Sequence, residues 1–158
     1  MCLIMLIGCF STRNMKSDTP LDAIAVKALV DAQNFIFIPR YVNPLGGSRR
    51  NLDDGFEISV SKDTILSKLP YFGRAYIAPI SPSDVDYSFT STNFTTIILP
   101  VKSGWSISIK PKDQRSLQEL YFKIYDNASA LLTITSTDRS FISYDGYISA
   151  RNPQANKK

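Results

Sequence analysis

The sequence predicts an α+β domain that is mainly antiparallel β: one N-terminal helix packed on a strongly curved meander or barrel of eight or nine strands, with a two-sheet β-sandwich as the alternative. Three observations predict it. From Phe35 to Ala150 apolar and polar residues alternate with period two in short runs, the pattern of half-buried strands. The runs are separated by turn dipeptides such as Lys62-Asp63, Thr92-Asn93, Ser103-Gly104 and Asp126-Asn127, which suit tight connections between neighbouring antiparallel strands. A 3.6-residue period occurs before the strands and not between them, which argues against a parallel α/β fold. A sheet of that size must curl or close to protect its edges.

The helix is signalled by Thr19-Pro20-Leu21-Asp22, with Thr19 at N-cap, Pro20 at the first helical position and Asp22 able to reach back to free amides. Leu21, Ile24, Ala25, Ala28, Leu29 and Ala32 then recur at helical spacing and mark an apolar face. Phe35-Ile36-Phe37-Ile38 is apolar on both faces, as expected of a strand covered on both sides. Phe56, Ile58 and Val60 share one face of the next strand, and Thr64 to Leu69 returns after Lys62-Asp63. Val85, Tyr87 and Phe89 share a face, and Thr92-Asn93 is expected to turn the chain into Phe94 to Leu99. Trp105, Ile107 and Ile109 alternate with Ser106, Ser108 and Lys110. Leu120, Phe122 and Ile124 are answered by Ala130, Leu132 and Ile134, and Ser140 to Ala150 holds the last strand or two, bent at Asp145-Gly146. Two longer connections remain as loops, Asn43 to Gly55 and Ala78 to Asp84, and loops of that length in a compact domain are usually functional or disordered.

Composition bounds the chemistry. The chain has 158 residues, 44% hydrophobic and 20% charged, with nine Phe, eight Tyr and one Trp; this is globular composition and fits one domain with its own core. The net charge of +4 is dispersed, and the adjacent basic pairs are Arg49-Arg50 and the terminal Lys157-Lys158, so the dense basic stripe of a nucleic-acid binder is missing. The sequence has no His, and its two cysteines, Cys2 and Cys9, precede the domain. That leaves no His-based nucleophile, no thiol metal site and no disulfide framework inside the domain. No metal or cofactor is expected.

Cys2-Leu3-Ile4-Met5-Leu6-Ile7-Gly8 is an apolar run too short to span a bilayer, which takes about 20 residues, and it reads as the tail of a secretory signal. Leu6-Ile7-Gly8-Cys9 resembles the bacterial lipobox, which makes Cys9 the expected site of lipidation. The expected organisation is a signal remnant at 1–8, a lipidated tether at 9–18, a single mainly-β domain at 19–151 and a flexible tail at 152–158. The segment after Cys9 lacks an acidic run, so the expected location is the outer membrane, facing the periplasm, with the membrane as a partner through the lipid.

The most distinctive stretch is Leu69-Pro70-Tyr71-Phe72-Gly73-Arg74-Ala75-Tyr76. Extended, it places Tyr71, Gly73 and Ala75 on one side and Phe72, Arg74 and Tyr76 on the other. Arg74 between two rings either staples its own sheet or offers its donors to a ligand, and Gly73 marks a bulge, a bend or the close approach of another group. Together with Phe89 to Phe94, Tyr41-Val42-Asn43-Pro44, Gly104-Trp105 and Ile134-Thr135-Ser136-Thr137, this stretch resembles a family of small secreted proteins of Bacteroides-type bacteria known as domain of unknown function 4251, over about residues 21–148. The resemblance implies a bacterial envelope setting and brings no catalytic residue with it.

Two further constellations bear on chemistry. Gly46, Gly47, Ser48, Arg49 and Arg50 are a candidate anion loop, with backbone amides and two guanidiniums, against a flexible hairpin loop. Paired carboxylates would be needed for a hydrolase, but most acids fall at turns, where they serve the backbone. The expected function is therefore a non-catalytic, lipid-anchored envelope protein that presents Tyr71, Phe72, Arg74, Tyr76 and Trp105 to an unidentified ligand or envelope partner. The alternatives are a structural or assembly subunit of an envelope complex and, third, a carboxylate-based hydrolase. A binding module should show a concave pocket lined by those aromatics, and an assembly subunit a flat apolar patch or an unpaired sheet edge.

Overall fold

The computed structural model describes residues 21–76 and 86–151. The signal remnant, Cys9 and its tether, Thr19 and Pro20, the loop from Ala78 to Asp84, Val85 and the tail lie outside the described residues. Among the described residues one helix, α1 (Ala23–Asp31), precedes ten strands: β1 (Phe35–Pro44), β2 (Arg50–Asn51), β3 (Glu57–Val60), β4 (Ile65–Leu69), β5 (Tyr87–Ser91), β6 (Phe94–Val101), β7 (Gly104–Pro111), β8 (Leu117–Tyr125), β9 (Ser129–Ser136) and β10 (Ile142–Ser149). They form one antiparallel sheet in the order β5-β4-β3-β1-β10-β9-β8-β7-β6, with the short β2 paired to the outer part of β1. The sheet is not split into a sandwich; it curls into a nearly closed barrel.

How it closes differs from the hairpin expected at Thr92-Asn93. Eight antiparallel steps separate the edge strands β5 and β6, so the two run in the same direction and cannot form a hairpin. Since only Thr92 and Asn93 lie between them, β5 and β6 are the two halves of one kinked strand: the first pairs with β4, the second with β7. The kink is held by the loop after β7. Asp113 accepts from Ser91 Oγ (2.6 Å), Thr92 N (2.8 Å) and Asn93 N (3.1 Å), while Lys112 N donates to the Asn93 carbonyl and Gln114 Nε2 to that of Thr90. These bonds, led by the one from Ser91, hold the Asp113 carboxyl below its ordinary pKa.

The inward face follows the period-two reading. Ile58, Val60, Ile107, Ile109, Leu120, Phe122, Ile124, Leu132 and Ile134 are buried with Phe35 and Phe37. Phe122 on β8 meets Phe35 and Phe37 on β1 edge to face, both at 5.8 Å, across the intervening β9 and β10, so side chains fill the barrel at this level. The bend at Asp145-Gly146 has a steric reason. A Cβ on Gly146 would fall on the Ile38 carbonyl and 2.8 Å from the Pro39 Cα, beside the irregular register of β1 between Pro39 and Tyr41.

The helix needs two corrections. Its N-cap is Asp22, whose side chain accepts from Ala25 N at 2.8 Å, because a carboxylate three residues before a free amide suits the cap better than a place inside the first turn. Its buried face is centred on Val26 and Val30, with Leu21 and Leu29 at its border, and Ile24 and Ala28 point to solvent. Half of the expected stripe is alanine, and the face swings to Val26 and Val30, which bury more area than the neighbouring Ala25 and Ala28 could.

Candidate functional site

After β4 the chain does not continue as a strand. Residues 70–76 form a strap that reaches the loop between β9 and β10, where Ala75 pairs with Arg139 in an isolated antiparallel bridge. Arg74 and Ser140 exchange backbone contacts: Ser140 N donates to the Arg74 carbonyl (2.9 Å) and Arg74 N to Ser140 Oγ (3.2 Å). Tyr76 N donates to the Asp138 carbonyl at 2.7 Å. The Tyr71 hydroxyl turns back under the strap, 2.9 Å from the Arg74 carbonyl, 3.1 Å from that of Ser140 and 2.9 Å from Ser140 Oγ. This explains Gly73. A Cβ there would fall on the Tyr71 hydroxyl and 2.8 Å from Ser140 Oγ, so a side chain at this position has to displace the Tyr71–Ser140 contact.

The arginine stacked between rings is Arg139, which the sequence reading did not single out. Its guanidinium lies 5.1 Å from the Tyr71 ring centroid and 5.0 Å from that of Tyr87, and it is paired with Asp138. Tyr71 and Tyr87 themselves meet edge to face at 5.4 Å. Burial pushes the Tyr87 hydroxyl up to about 12, against the opposing pull of its Ser136 hydrogen bond and of Arg139. Tyr144, which donates to the buried Pro70 carbonyl at 2.7 Å, is raised further by the same desolvation. A loop triplet Asp138-Arg139-Ser140 carries no periodic or motif signal, so only the fold reveals this cluster.

The outward side is different. Phe72, Arg74 and Tyr76 are exposed, Tyr76 to 63%, and the stacking partner expected of Arg74 is supplied from elsewhere: Arg50 sits 5.2 Å from the Phe72 ring. The fold brings Arg50 there because β2 pairs it with Val42, and directly opposed residues share a face; Val42 is inward, so Arg50 points to the same end of the barrel as the strap.

The same register divides the candidate anion loop. Arg49, one residue earlier, takes the opposite face, over the Tyr41 ring at 3.8 Å and paired with Asp145 at 3.1 Å, which also accepts from Asn43 Nδ2. Gly47 N is committed to the Pro44 carbonyl, Gly46 serves the turn at a φ of +71°, and Ser48 is exposed. Asn43 to Gly55 is thus largely a hairpin arm, and Gly46 to Arg50 does not form one cradle. Trp105 also stands apart. It lies near the start of β7, packed on the core, whereas Ile109 faces Leu120 and Leu117 faces Ser136, which puts the strap beyond the far end of that strand. Of the five sequence-predicted surface residues, Phe72, Arg74 and Tyr76 are exposed on the strap, Tyr71 braces it from beneath, and Trp105 is remote.

Among the described residues no group of three or more acids converges as a metal site. Asp54 pairs with Arg40, and Asp63 and Asp113 hold turn or kink residues.

A single antiparallel meander curled through a kinked strand, carrying one helix and a strap across one end, defines a small mainly-β barrel domain. Within that class, the chain belongs to the family described as a domain of unknown function (DUF4251), whose model matches residues 22–148. A crystal structure of a DUF4251 family protein from Bacteroides eggerthii DSM 20697 is similar with a TM-score of 0.56 at 12% identity, covering 82% of this chain and 85% of that one; at that identity the likeness speaks to the fold. No significant match exists among curated proteins.

Proposed function

We propose that this is a non-catalytic bacterial envelope protein, anchored by lipid on Cys9 to the outer membrane and facing the periplasm, that binds a ligand or partner through the outward side of the strap. The observation that carries the reading is the meeting of Arg50 with Phe72: two segments 22 positions apart in the chain converge to expose an arginine and aromatic surface, and Arg and aromatic residues are the types enriched where proteins recognise partners.

A second reading, an assembly subunit, has its own support. On the edge strand β6, Ile97, Leu99 and Val101 stand 51%, 56% and 45% exposed in one outward row, the kind of apolar edge that pairs with another chain. One experiment separates the two. The protein is isolated from its host's membranes, its N-terminal peptide is weighed for lipid on Cys9, and it is used as bait in detergent-solubilised envelope extract. Capture lost in Phe72→Ala/Tyr76→Ala supports the strap; capture lost only in Ile97→Lys/Leu99→Lys moves the function to β6. An unmodified peptide running through Cys9 contradicts the anchor.

A further inference from the structure

The arginines of the described residues fall into two groups. Arg40 is paired with Asp54, Arg49 with Asp145 and Arg139 with Asp138. Arg50, Arg74, Arg115 and Arg151 are exposed, and none of the four has a carboxylate of the described residues within 4 Å. Of these four, Arg74 belongs to the strap and Arg50 contacts it. Arg50 lies over Phe72, and Arg74 follows Phe72 two positions later on the strap, with both side chains exposed. A guanidinium held on a ring keeps its in-plane donors directed outward, and fork-shaped donors match the oxygens of carboxylates and phosphates.

Charge chooses between those two anions. A single carboxylate would neutralise one of the pair. A phosphomonoester carries about −1.5 to −2 near neutrality and offers three acceptor oxygens. We infer that the strap face, on the binding reading given above, takes an organic phosphomonoester: the phosphate sits between Arg50 and Arg74 beside Phe72, and the organic part lies towards the exposed ring of Tyr76. The group comes either from a soluble phosphate ester or from a phospholipid headgroup, and the two chemistries at the protein are the same.

The test is calorimetric titration of the full chain with phenyl phosphate, inorganic phosphate and benzoate, and with phosphatidylcholine vesicles with and without phosphatidic acid. Phenyl phosphate should bind, and Arg50→Ala and Arg74→Ala should each weaken it about tenfold, while Arg40→Ala leaves it unchanged. Arg74→Lys should fall between, since it keeps the charge and loses the fork. Affinity should drop as pH is lowered through about 6, where the phosphate gains its second proton. Binding to phosphatidic acid vesicles but not to phenyl phosphate, with the same loss in the two alanine variants, assigns the lipid source and also supports the site. The inference is overturned if benzoate binds as tightly as phenyl phosphate, if the two alanine variants bind like wild type, or if no phosphate-bearing probe binds. Should the probes fail while Phe72→Ala/Tyr76→Ala still loses capture from extract, the phosphate assignment falls and the binding face stands; if neither responds, both fall.

Discussion

On the inward side of the strap, Tyr71 touches Tyr87, Arg139 and Ser140, while one residue later Phe72 faces outward beneath Arg50. The inward contacts are hydrogen-bonded and partly buried, and they tie together segments nearly 70 positions apart. The outward residues are held by the backbone and lend it little in return. The difference shows that an eight-residue stretch with a dense aromatic signature can serve architecture and presentation at once, with Tyr71 turned in and Phe72, Arg74 and Tyr76 exposed.

The largest expected effect comes from breaking the inward side at Arg139. Arg139→Ala removes the cation from both rings and strands the partly buried Asp138, which should cost about 3–5 kcal/mol of unfolding free energy, read by denaturant melts. A loss close to that of a surface substitution would mean that Arg139 is not a brace.

The second prediction sharpens the same side through pH. Tyr87 titrates at about 12 in the folded protein against 10.0 as its ordinary value. Between those values the folded state holds a proton that the unfolded chain has lost, so stability is fully present below pH 10 and falls as pH rises through the folded pKa. The drop should be on the order of 2–3 kcal/mol by pH 12, with Tyr144 adding in the same direction. Tyr87→Phe should flatten the alkaline limb of a stability–pH curve. An unchanged limb would show that these hydroxyls are not buried as described.

Much of this was legible in the sequence, for identifiable reasons. Strand faces are local and period two exposes them, so the inward rows from Phe35 to Ile134 could be read directly. The close approach at Gly73 was legible because a glycine in an aromatic run needs a steric reason. The role of Thr92-Asn93 was not, since a two-residue link looks the same in a hairpin and in a kink, and the direction of β6 follows from the parity of the whole sheet. The buried helix face lies one residue from the expected one because the three alanines of that stripe signal period without signalling burial, and Val26 and Val30 outweigh them. Arg139 was invisible because a loop triplet has no pattern, and Arg50 could not be joined to Phe72 without the register of β2 on Val42.

The central claim is that the strap's two sides have separate roles, and adjacent positions test it most directly: melting curves of Gly73→Ala and Arg74→Ala recorded together. A methyl at Gly73 runs into the Tyr71 hydroxyl and Ser140 and should cost about 1–3 kcal/mol. Arg74 is held by its backbone, with its side chain exposed, so Arg74→Ala should stay within about 0.5 kcal/mol of wild type. An Arg74→Ala curve displaced as far as that of Gly73→Ala would contradict the division and return Arg74 to the architecture of the barrel.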